Sequence, residues 1–219
     1  MSMNAGMAPN QGMGGGPSAS QVRMTTPAIV PGQVVTLQSG DDVVHVTAPG
    51  TIVQDGGSHT IVSDHGGVTV NATGGNSVIY GGMGGDLINE GPDCVFVGVP
   101  NGGVSTVNAS AHGSDTIFAV TGMVYHGEQG DHSLFIGGSG AVTVACAANQ
   151  TLFAGTGGGI YTVGANQFFF GAGGAADTIV GSAPNCNLWT HDHERLTLMT
   201  ASTSGPGAQI VAFGDDNNI

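Results

Sequence analysis

The densest run of side chains that could do chemistry is His191-Asp192-His193-Glu194. Residues two apart on a strand share a face, so the two imidazoles could hold Zn2+ or Cu2+ there. No third ligand stands close in sequence, and the run lies where the repeats described below end. It reads as a solvated cap. His45, His59, His65, His112, His126 and His132 fall on expected turns or strand ends, share no spacing, and are expected at the surface. Cys94, Cys146 and Cys186 are odd in number and form no CxxC, which suits small buried residues better than a disulfide frame or zinc site. No nucleophile elbow, phosphate loop or metalloprotease helix is present. The chain has no Lys, and its only arginines are Arg23 and Arg195, so nothing between them could neutralise a uronate substrate. The chain reads as a non-enzyme.

The 219 residues include 41 Gly and carry a formal net charge of −13. Only 8% are charged, against about 25% in an ordinary globular chain, yet 40% are apolar, enough to build a core. Two arginines cannot neutralise a phosphate backbone, and the acidic field repels one, so no nucleic-acid partner is expected. No run of 18 apolar residues exists, and no membrane insertion is expected. The first twenty residues, MSMNAGMAPNQGMGGGPSAS, lack the basic start and apolar core of a signal peptide. The expectation is a cytoplasmic protein, or one exported without a cleaved leader.

What must position any functional side chain is a repeat. Short apolar triplets recur between residues 60 and 190, centred on Ile61, Val70, Ile79, Ile88, Phe96, Val107, Ile117, Val124, Phe135, Val144, Leu152, Val163, Phe169, Ile179 and Trp189. The 14 steps cover 128 residues, a mean of about 9.1, with Gly, Asn, Ser and Asp between them. So many glycines would each cost a helix roughly 1 kcal/mol. Short strands joined by tight turns tolerate them. Sorted by parity, the odd triplets hold seven of the eight phenylalanines and the only tryptophan, and the even ones hold Asn71, Asn89 and Asn108. One coil therefore holds two strands in about 18 residues. The predicted fold is all-β, a right-handed parallel β-roll or β-helix solenoid, with seven coils in a rod of roughly 34 Å. Four regions are expected: a flexible Gly/Met-rich leader (1–20), N-terminal strands or a cap (21–58), the repeats (59–190), and a C-terminal cap and tail (191–219).

The segment Gly81-Gly82-Met83-Gly84-Gly85-Asp86-Leu87-Ile88-Asn89 fits the nonapeptide GGxGxDxUx throughout. In this the chain resembles the repeats-in-toxin (RTX) family. The resemblance covers residues 51–190 in period and one repeat in full motif. It implies a β-roll whose turn glycines and Asp bind Ca2+ between stacked coils, with Gly82, Gly84 and Asp86 as a weak calcium site. It also implies a protein outside the cell or on its surface, exported by a route such as type I secretion. At the Asp86 position the other repeats place Asp only at 115 and 177. One coil away, Asp86 meets Val68 and Ser105, Asp115 meets Cys94 and Ser133, and Asp177 meets Tyr161, so no two Asp stack.

The even strands alternate apolar and polar residues, as in a sheet with one wet face. The odd strands are mostly apolar at all three positions, as in a sheet covered on both faces. Either Tyr80, Val97, Phe118, Ile136, Phe153 and Phe170 point outward, or the column through Ile79, Phe96, Phe135 and Phe169 does. The exposed column is the expected self-assembly surface, and the expected partner is a second copy, in a homo-oligomer or fibre. A competing arrangement folds residues 21–58 over this sheet through Val34, Val35, Val43 and Val44. A rank of Thr69, Thr106, Thr143, Thr162 and Thr178, interrupted by Leu87 and Met123, could instead bind ice or a neutral glycan. The chain thus reads as a self-assembling structural protein, with an RTX-like calcium module and a surface binder as alternatives.

Overall fold

A computed structural model describes residues 24–25, 29–40, 42–100, 103–120, 122–129, 132–181, 185–191, 195–198 and 209–212. The described residues form 21 strands and no helix. Strands alternate between two sheets. One sheet holds β1 (Met24–Thr25), β3 (Val43–Val46), β5 (Thr60–Ser63), β7 (Val78–Tyr80), β9 (Val95–Val97), β11 (Thr116–Phe118), β13 (Leu134–Ile136), β15 (Thr151–Phe153), β17 (Phe168–Phe170), β19 (Asn187–Thr190) and β21 (Gln209–Ala212). The other holds β2 (Val34–Leu37), β4 (Ile52–Asp55), β6 (Thr69–Ala72), β8 (Leu87–Glu90), β10 (Ser105–Asn108), β12 (Met123–Gly127), β14 (Val142–Cys146), β16 (Gly159–Val163), β18 (Asp177–Gly181) and β20 (Arg195–Leu198). Every pairing is parallel.

The fold is a parallel β-solenoid of about 18 residues per coil. Thr60 pairs with Val78 and Val78 with Val95, steps of 18 and 17. The longest steps are 21, from Val95 to Thr116, and 22, from Asn187 to Gln209. Eleven strands at about 4.8 Å make a stack of roughly 48 Å, longer than the sequence reading gave. The difference lies at the ends. Val34, Val35, Val43 and Val44 do not fold back over a sheet; β2, β3 and β4 are coils in register with β5 and β6. Likewise β20 and β21 extend the stack at its other end.

The core lies between the sheets. Ile61, Ile79, Phe96, Ile117, Phe135, Leu152 and Phe169 form the inward column of one, facing Val53, Val70, Ile88, Val107, Tyr125, Val144, Tyr161 and Ile179 of the other. The phenylalanine column offered as an outward alternative is therefore buried. Tyr125 stacks on Phe135 at 5.4 Å and Tyr161 meets Phe169 edge-on at 5.0 Å. Two strands, β12 and β19, are phased one residue away from the sequence reading, and β16 is centred two residues earlier on the same face. Met123 and Tyr125 point inward with Val124 between them, Tyr161 takes the inward place beside Val163, and Leu188 replaces Trp189 in the core. In β12 and β19 apolar residues occupy adjacent positions, so period alone does not decide which of them takes the interior.

One coil corner repeats a backbone demand. Ser58, Asn76, Asp93, Asn149, Asn166 and Asn185 all have φ between 56° and 63°, each three residues before an inward core residue. Short polar side chains enter this left-handed region at least cost after glycine. Asn149, Asn166 and Asn185 also bond to one another along the stack, at 3.2 and 3.0 Å.

Candidate functional site

The turn that carries the nonapeptide joins β7 to β8. The Asp86 carboxylate faces the interior, where Gly82 N–H donates to Oδ2 at 2.7 Å and Val68 N–H to Oδ1 at 2.9 Å. The backbone N–H of Asp86 donates in turn to Ser105 Oγ at 3.3 Å. Burial raises the Asp86 pKa above the ordinary 3.8, against the pull of these N–H donors. The glycines answer a steric need. A Cβ on Gly82 would lie 2.2 Å from the His65 carbonyl oxygen, and one on Gly66 would lie 1.7 Å from Gly84 Cα. Backbone packs on backbone where the coils turn.

Asp115 repeats the arrangement. Cys94 N–H donates to its Oδ1 at 2.8 Å, and its own N–H donates to Ser133 Oγ at 2.9 Å. The neighbours of Asp86 and Asp115 are those the repeat count gave; Asp177 lies beside Gly159 instead of Tyr161. These carboxylates act as internal brackets between coils. Among the described residues no three His, Cys, Asp or Glu side chains converge on a common point. His191 is exposed, and residues 192–194 lie outside the described residues.

One polar cluster escaped the sequence reading. His59, expected at the surface, is buried with its Nδ1 2.6 Å from Asp55 Oδ1. Ser77 Oγ–H donates to Asp55 Oδ2 at 2.6 Å, and Gly57 N–H to Oδ1 at 2.8 Å. The serine hydroxyl thus points at the carboxylate and not at the imidazole. With all three side chains enclosed, the group ties coil corners together and cannot reach a substrate. Its only local signal is the spacing of Asp55 and His59 across the turn at Ser58.

The outward faces are set by the strand period. On the odd-numbered sheet Val62, Tyr80, Val97, Phe118, Ile136, Phe153, Phe170, Trp189 and Val211 pair in unbroken register along the stack. Tyr80, Phe118 and Phe153 are 40%, 38% and 40% exposed, while Val62, Val97 and Ile136 between them are half-buried. Phe153, Phe170 and Trp189 stack nearly flat, with centroids 4.6 and 4.7 Å apart. His45, 3.4 Å from Asp64, heads this column, and no carboxylate stands in it. A groove of about 590 Å3 runs beside Tyr80 toward Val99 and Pro100.

The even-numbered sheet shows a different face. Asn89 Nδ2 donates to Asn71 Oδ1 and Asn108 Nδ2 to Asn89 Oδ1, each at 2.7 Å. In the next column Thr69, Thr106, Thr143 and Thr178 alternate with Leu87, Val124 and Ile160. Met123, named as an interruption, is inward. Thr162 stands in the asparagine column, so the threonine rank is broken at every second coil. No protein-family model, curated protein or solved structure matches the chain.

Proposed function

We propose that this chain is a non-enzymatic structural protein that self-associates into a fibre or matrix outside the cell or on its surface. The observation that carries the reading is the outward column from Val62 to Val211, apolar over nine coils in register. Monomers rarely tolerate apolar patches beyond a few hundred Å2. The aromatic stack favours this reading over glycan binding. Its rings cover one another's faces, which a sugar would need, and turn their edges outward. Edge-out rows on a sheet suit interdigitation with a second sheet.

The test is the double substitution Phe118→Asp with Phe153→Asp. Each ring sits on the outer face, so the variant should keep its circular dichroism spectrum yet sediment as a monomer where the wild type associates. A wild type that stays monomeric at every concentration, or a double variant that still associates, overturns the reading.

The RTX-like alternative keeps the complete nonapeptide 81–89 in its favour. In it the turn of Gly82, Gly84 and Asp86 binds calcium and the protein leaves the cell by a signal-peptide-independent route such as type I secretion. A cation there would have to displace the N–H donors of Gly82 and Val68 from Asp86. Circular dichroism with and without a chelator separates the two. The structural reading expects no change; loss of the β signal in chelator would favour the calcium module.

A further inference from the structure

We infer that the outward column pairs with the same column of a second copy in an antiparallel twofold dimer, in one register. This rests on the self-association reading above and names its geometry. From Val62 to Phe153 the column alternates small and large, so exposed rings form ridges separated by half-buried hollows. Ridges recur every second coil, about 9.6 Å apart. A parallel pair related by a twofold along the stack would set ridge on ridge. An antiparallel pair can set every ridge on a hollow, and the register that uses the whole alternation brings Val62 opposite Phe153, Tyr80 opposite Ile136 and Val97 opposite Phe118. The alternation ends where Phe153, Phe170 and Trp189 stand consecutively.

The size of the contact fits a reversible dimer. In this register the described outward residues of the column face one another over eight coils, from His45 to Phe170, about 35 Å long and about 12 Å across two outward residues. With corrugation the two copies together bury about 1,000 Å2, the floor for a specific interface and short of the ~1,600 Å2 of a standard one. Among the described residues no carboxylate stands in the column; Asp55, Asp86, Glu90, Asp115 and Asp177 are buried in the interior, and Asp64 and Asp93 lie at turns. An isologous contact of this kind closes on itself, so further growth falls to the coil ends.

Two pools with one added cysteine each test the register: Val62→Cys carrying an affinity tag, and Phe153→Cys without one. These positions face each other across the contact, while like residues stand five coils, about 24 Å, apart. The native thiols are buried, and burial pushes Cys94 up to about 12 and raises Cys186 as well, so wild type serves as the unreactive control. Sedimentation first establishes that each pool dimerises. A short bismaleimide should then cross-link the mixed pools at least tenfold more than either pool alone. Cross-linking within the single pools at the level of the mixture overturns the antiparallel register and leaves self-association standing. Wild type that sediments as a monomer at every concentration overturns both.

Discussion

A buried carboxylate is tolerated at Asp55 because His59, Ser77 and Gly57 answer its two oxygens within 2.6–2.8 Å. His59→Leu takes the imidazole partner from a buried carboxylate oxygen and should cost about 1–3 kcal/mol. A fall in the urea midpoint at unchanged slope is the expected outcome. Asp86 has no cationic partner, and its pKa is raised by burial. A folded-state pKa above the unfolded one means that the folded chain holds the proton more tightly. Stability from this group is then greatest in acid and is lost as pH rises through the raised value. Asp86→Asn carries no such dependence. The stability of wild type minus that of the variant should therefore decrease from about pH 4 upward, as paired denaturation curves would show. The stacking neighbours of Asp86 and Asp115 could be read by counting residues, because register follows from the repeat. The Asp55 cluster could not, since it joins positions 4 and 22 residues apart across the coil interior.

At the scale of strands, the repeat and its division into two kinds were legible because each coil commits one apolar residue per strand to the interior. Which side of a strand faces inward was less legible. In β12 and β19 apolar residues occupy adjacent positions, and period alone cannot phase them; in β12 the packing of Tyr125 against Phe135 does. The first coils were missed for another reason. Their gaps carry Pro27, Pro31 and Pro49 in place of most of the glycine, so β2 to β4 do not look like repeats. Glycine between strands has a stricter role than flexibility. At Gly66 a methyl group would fall 1.7 Å from Gly84 Cα, against backbone that cannot rotate away. Gly66→Ala should destabilise by about 3 kcal/mol, the upper range for overpacking, measured by denaturation with the β signal as probe.

For the whole molecule, acidity opposes association and histidine offers relief. Histidine is the side chain that gains charge between pH 7 and 5, and protonating all eight would take the formal charge from −13 to about −5 if every carboxylate stayed ionised. Light scattering should rise across that interval; a flat or falling signal counts against repulsion as the brake. The register steps of 17 to 22 residues have one more consequence. Every strand meets a partner made about 18 residues earlier, so no distant segment must be awaited and closure entropy is met in small equal instalments. Relative to a chain of 219 residues such contacts are as local as those of helical bundles, and each coil depends only on its neighbours. The chain can therefore fold vectorially, one coil after another, as it emerges from a ribosome or a narrow export channel.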